Sequence, residues 1–128
     1  MGQQQLLLLV LSAIIVGVSI VIGINMFASS ATQANQDAVL QDCMNIAARA
    51  QEWYRKPLAM GGGDRVFTGN GGVTLVKLNI KATNANGSYV LTPGAQTATI
   101  VGTGVEGSPL IVTMVFAPDS ITTTTITQ

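Results

Sequence analysis

The hydrophobic pattern of this chain changes period twice. From Leu6 to Ala28 the residues are almost all aliphatic, interrupted only by Ser12, Ser19, Asn25, Gly17 and Gly23, and no charge appears before Asp37. A helix of that length spans ~35 Å, enough to cross a bilayer core of ~30 Å. Its apolar residues run all round, so it reserves no face for water and requires burial in lipid or protein. Between Ser29 and Arg55 there is neither proline nor glycine, and alanine, glutamine and leucine dominate. Here the pattern becomes a single stripe at three- and four-residue steps: Val39, Cys43, Ile46, Ala47, Ala50 and Trp53 or Tyr54. Asp37, Asp42, Arg49, Glu52 and Lys56 lie off it, with Glu52 placed for an i,i+4 pair with Lys56. Pro57 disfavours helical geometry at Lys56 and ends the element. The pattern predicts one helix from about residue 3 to about residue 55, roughly 80 Å long.

After Pro57 the period shortens to two. The glycine-rich stretch LAMGGGDRVFTGNGG reads as a flexible loop, and short β-type runs then alternate with turn residues. The expected strands are 73–80, 88–92 after Asn84-Ala85-Asn86-Gly87, 97–101 after Pro93-Gly94, 110–116 after Pro109, and 121–127 after Pro118-Asp119. Such a series predicts an antiparallel meander with one face on the helical stripe. The fold class is α+β: one long N-terminal helix (about 3–55) packed at its C-terminal half against a small antiparallel β-sheet head. Three segments follow: an apolar helix half (1–28), an amphipathic helix half (29–57) and a β head (58–128).

Composition sharpens this picture. Charged residues make up 9% of the 128, against about a quarter in ordinary soluble domains, and six acids balance six bases. A neutral chain this poor in charge carries no electrostatic footprint for nucleic acid, and its surface tends to self-associate. Histidine is absent and Cys43 is the sole cysteine, so neither an internal disulfide nor a cysteine–histidine metal site can form. Gly61-Gly62-Gly63-Asp64-Arg65 lacks the Lys-Ser/Thr of a phosphate-binding loop. Serines without a histidine have no ordinary activating base, and Asp64 and Asp119 are isolated in sequence. Cys43, on the stripe, reads as a small buried residue. No catalytic, cofactor-binding or metal-binding residue is expected, and the chain does not read as an enzyme. Asn86-Gly87-Ser88 matches an N-glycosylation acceptor as well as a hairpin turn, and the threonines 122–125 suit either a strand or O-linked sugar.

The apolar segment admits three readings. A cleaved secretory signal is disfavoured, because the apolar run exceeds the usual 7–15 residues and has no basic region before it. A membrane anchor for a small outer domain is the second. The third is a segment that begins in the membrane and is later withdrawn into a protein assembly, which the continuation of the helix favours.

The head Gly2-Gln3-Gln4-Gln5, followed by LLLLVLSAIIVGVSIVIGI and running on to Trp53-Tyr54, resembles the type IV pilin superfamily. The resemblance covers roughly residues 2–55 and extends to the β head only as architecture. It implies a structural subunit, a major pilin, that polymerises through its apolar helix into an extracellular filament. A pseudopilin of a secretion or DNA-uptake machine, or a membrane-anchored binding domain, is the alternative. The implied partners are other copies of the chain, the inner membrane before assembly, a prepilin peptidase and an ATPase-driven assembly platform, with no cofactor and no nucleic acid. The implied filament core is Gln5, Leu6, Leu7, Leu8, Leu9, Val10, Leu11, Ile14, Ile15, Val18, Val21, Ile22 and Ile24. Gly17 and Gly23 are the expected points of helix flexibility, and Gly2 and Gln3 the expected processing site.

The chain departs from the bacterial pattern in three ways. Gln5 stands where a glutamate is usual, so it offers a hydrogen-bond acceptor without a charge. The helix-breaking proline is missing. No basic leader precedes Gly2, which implies either a leader already removed or cleavage after Gly2.

Overall fold

The computed structural model describes residues 2–105 and 110–128. The chain divides into two compact units, residues 1–33 and 34–128, each described by itself.

The first unit is helix throughout its described residues. It forms the leading part of α1 (Gly2–Arg55), which continues without a break into the second unit. Its few hydroxyls bond back to their own helix: Ser12 Oγ donates to the Leu8 carbonyl at 2.8 Å, Ser19 Oγ to Ile15 at 2.8 Å, and Thr32 Oγ1 to Ala28 at 3.0 Å. This i−4 bonding leaves few polar hydrogens to satisfy in an apolar medium.

The second unit packs the rest of α1 against a four-stranded antiparallel sheet, β1 (Gly87–Pro93), β2 (Ala98–Gly104), β3 (Ile111–Phe116) and β4 (Ile121–Thr127), paired in the order β1-β2-β3-β4. This is the meander that the alternation of strand and turn residues predicts. The turns close as their residues dictate: Asn84 Oδ1 accepts the Asn86 and Gly87 N–H groups, the Gly94 N–H reaches the Thr97 carbonyl, and the Ala117 N–H reaches Ser120. The turn expected at Pro109 lies outside the described residues.

Val39, Cys43, Ile46, Ala47, Ala50 and Trp53 are buried, so the stripe on α1 meets the core as its spacing requires. Tyr89 of β1, Ala98 and Ile100 of β2, and Val112, Met114 and Phe116 of β3 supply the sheet side. Phe67 packs between helix and sheet residues, tilted against Tyr54 (centroids 4.8 Å) and edge-on to Phe116 (5.4 Å). Gly102 and Gly104 of β2 mark close approaches of sheet and helix, since a Cβ at Gly102 would stand 2.8 Å from Val39 Cγ1 and 3.1 Å from Cys43 Sγ, and one at Gly104 2.2 Å from Asn35 Oδ1.

Two expectations are corrected. Residues 73–80 form no strand. The Thr74 hydroxyl accepts the Lys77 N–H, the Leu78 N–H reaches the Thr74 carbonyl, and Asn79 has a positive φ of 58°, so the segment coils into successive turns. Val73, Leu75 and Leu78 point inward while Val76 is 87% exposed, a spacing that no flat strand produces. The glycine-rich loop, read as flexible, is tied to the helix end. The N–H groups of Gly63, Asp64 and Arg65 donate to the carbonyls of Trp53, Lys56 and Tyr54 at 2.8–3.0 Å, satisfying acceptors the last turn of a helix leaves open. Gly63 lies against Trp53, where a Cβ would come within 2.4 Å of Cζ3.

Candidate assembly surface

Every described residue from Gly2 to Ala31 is exposed. Leu6, Leu7, Leu8, Leu9, Val10, Leu11, Ile14, Ile15, Val18, Val21, Ile22 and Ile24 keep between 53% and 70% of their surface, the remainder being covered by the helix itself. Val16, Ile20, Met26 and Phe27 belong to the same surface, with Phe27 the barest at 82%. They fall inside the apolar run, so the signal for them was the run itself. Exposed apolar patches on monomers rarely exceed a few hundred Å², and this one surrounds the helix for six turns. By length and composition the segment can cross a membrane, and it is compatible with embedding in one. Gly2, Gln3 and Gln5 occupy the first turns and are exposed. Gly17 and Gly23 are both helical, and apart from the adjoining helix backbone nothing among the described residues lies within 4 Å of where a Cβ would stand.

The polar groups flanking the stripe have a different task. Asp42 Oδ2 accepts three bonds, from Asn84 Nδ2 (3.0 Å), Asn86 Nδ2 (2.9 Å) and the Tyr89 hydroxyl (2.5 Å). Burial raises the Asp42 carboxyl, but the bonds from Asn86, Tyr89 and Asn84 together outweigh it, and the group sits below its ordinary value. The Tyr89 hydroxyl is pushed up by burial first and then by its bond to Asp42. Asn35 Nδ2 donates to the Asn86 carbonyl at 2.8 Å, so both ends of Asn86 are held by α1. The nitrogen that would carry sugar at Asn86 is therefore the one that clasps Asp42.

Further along α1, Arg49 Nη1 donates to the Leu78 carbonyl (3.3 Å), Gln51 Nε2 to Ala117 (2.9 Å) and Arg55 Nη2 to Pro118 (3.3 Å). Lys77 Nζ bonds the carbonyls of Asn70 and Gly72 and stands 5.7 Å from the centre of the Trp53 ring. Glu52 and Lys56 form their expected ion pair at 3.4 Å, in the open. These side chains hold loops to the helix, and none is set against a nucleophile. Cys43 is fully buried, and burial with the nearby Asp42 charge pushes its thiol up to about 11, which keeps it protonated and unreactive. Among the described residues no three groups of metal-ligating type come together.

Phe67, Tyr89 and Phe116 are all buried. A long apolar N-terminal helix followed by a small antiparallel sheet is an architecture of the pilin kind. Comparison with protein-family models, with curated proteins and with solved structures finds no match.

Proposed function

We propose that the chain is a structural, non-catalytic subunit that polymerises through residues 5–28 into a type IV pilus-like filament at the cell surface, after first residing in the membrane. The observation that carries this reading is the uncovered apolar surface of the first unit on a helix that continues into a packed domain. A plain anchor needs the first half only. Packing into an assembly uses both, since identical helices then shield one another while the packed unit faces outward. Moving the segment from lipid to a protein core exchanges one apolar medium for another, so little free energy drives extraction and a motor must supply it. The contact between identical subunits is then heterologous and non-closing, which generates a filament instead of a ring.

Electron microscopy of material sheared from cells expressing the chain, with mass spectrometry of its N-terminus, tests the proposal. Filaments whose subunits begin at or near Gly2 or Gln3 support it. Protein that remains a detergent-extracted monomer in the membrane fraction overturns it in favour of an anchored domain.

A further inference from the structure

The four-stranded sheet has two edges, and the protein treats them differently. The β1 edge is partly taken: the Tyr89 N–H donates to the Ala82 carbonyl, the Gly87 carbonyl accepts from Asn84, Thr83 bridges Ser88, and Pro93 has no N–H to offer. The β4 edge carries none of these devices. Among the described residues nothing pairs with β4 except β3, and all seven residues of ITTTTIT are exposed on both faces. Natural edges are normally blunted by charge, proline, a cover or a short strand. β4 has no charge and no proline; its one irregularity, a register shift opposite Val115 and Phe116, leaves Thr123–Thr127 regularly paired with β3, and every residue is β-branched, the composition that pairs most readily. The side facing the core continues past the helix as well: Ile121 and Ile126, opposite buried Phe116 and Val112, remain 41% and 39% exposed.

We propose that β4 is a self-docking edge, which pairs antiparallel with β4 of a second copy and so joins neighbouring filaments side by side. The occupant follows from the contrast between the edges. In a second copy the β1 edge is obstructed, and β4 is the open one. With no charge on either strand, two copies meet without repulsion, and threonine opposite threonine is a favourable cross-strand pair. The contact is small. Seven residues span ~23 Å, and with side chains about 10 Å deep the pair buries roughly 500 Å² in total, below the ~1,000 Å² of a stable independent interface. Single copies therefore pair only weakly and briefly, whereas rows of copies on two polymers bind firmly through many such contacts at once. An antiparallel β4–β4 pair is two-fold symmetric, and a head-to-tail polymer does not generate a two-fold between its own neighbours, so the contact lies between polymers. This consequence rests on the filament reading; the strand pairing does not.

Single cysteines placed in turn at positions 121–127 of the full chain, oxidised mildly on the expressing cells, test the pairing. In a two-fold antiparallel pair only one residue faces its own copy, so one position should form disulfide-linked dimer at least fivefold above the positions beside it. Buried Cys43 supplies a silent background. Thr123→Lys, on the exposed outer face, should abolish lateral bundles in micrographs while leaving the emission of Trp53, and thus the fold, unchanged. Equal linkage at every position, or none above the unsubstituted chain, overturns the proposal. Filaments without a cross-linking peak sink the edge and keep the filament; a peak without filaments does the reverse.

Discussion

The two halves of α1 have similar lengths and the same secondary structure, yet they solve opposite problems. Residues 35–55 present a narrow stripe whose neighbours all lie in the same chain, and the polar residues beside it clasp the loops. Residues 5–28 present apolar surface on every side, and every one of them is exposed. The stripe specifies one partner in one orientation, because rotation of the helix would expose Ile46 and bury Asp42. The all-round surface specifies only a medium, and it fits lipid and packed helices equally well. The transfer from membrane to filament proposed above would need that indifference in one region and its opposite in the other.

The comparison can be broken most severely by placing a charge in the indifferent half. Ile14→Asp should eliminate filaments altogether, because a buried unpaired carboxylate in an apolar core is too costly, while the second unit keeps its unfolding temperature. The converse change, Phe116→Ala, should cost about 3–5 kcal/mol of stability in the second unit, read by chemical denaturation, and leave membrane insertion of the first intact. Asp42→Asn removes the charge from a triply bonded acceptor and should cost about 2 kcal/mol. Because the Asp42 carboxyl is held below its ordinary value of 3.8, its contribution is complete above that value and fades as pH falls through the lowered one. Amide exchange in residues 84–89 should therefore accelerate in strong acid in the natural protein, and the Asn variant should have lost that dependence. The smallest effect belongs to Gly17→Ala with Gly23→Ala. Each should steady the helix by about 0.5–1 kcal/mol, slowing exchange across residues 13–27 in detergent with no change in the second unit.

Much of this organisation was legible in the sequence. Fifty-four helical residues contain only Gly2, Gly17 and Gly23 as breakers, and the change from all-round to striped apolarity separates what the chain covers from what it does not. Asn84–Gly87, Pro93-Gly94 and Pro118-Asp119 announce three of the sheet's turns. Residues 73–80 misled because VTLVKLNI alternates as a strand does, while the decisive groups act locally through the Thr74 hydroxyl and the left-handed Asn79. The glycine loop misled for another reason: composition does not distinguish a glycine that loosens a chain from Gly63, which is small so that Trp53 can lie against it. The Asp42 cluster had no sequence signal, since Asp42 stands more than forty residues from Asn84, Asn86 and Tyr89 and meets them only once the sheet has docked.

Trp53 is the only tryptophan, 4% exposed, and its ring borders the Gly63 backbone and the Lys77 ammonium. The first unit contains no tryptophan or tyrosine, and Phe27 is its sole aromatic residue. Under excitation at the red edge of the indole band the first unit is thus dark. All the light comes from the packed unit, and lipid or detergent can be exchanged around the first unit without adding a photon of their own. One cuvette can report whether the domain is folded while a second method follows where the silent helix has gone.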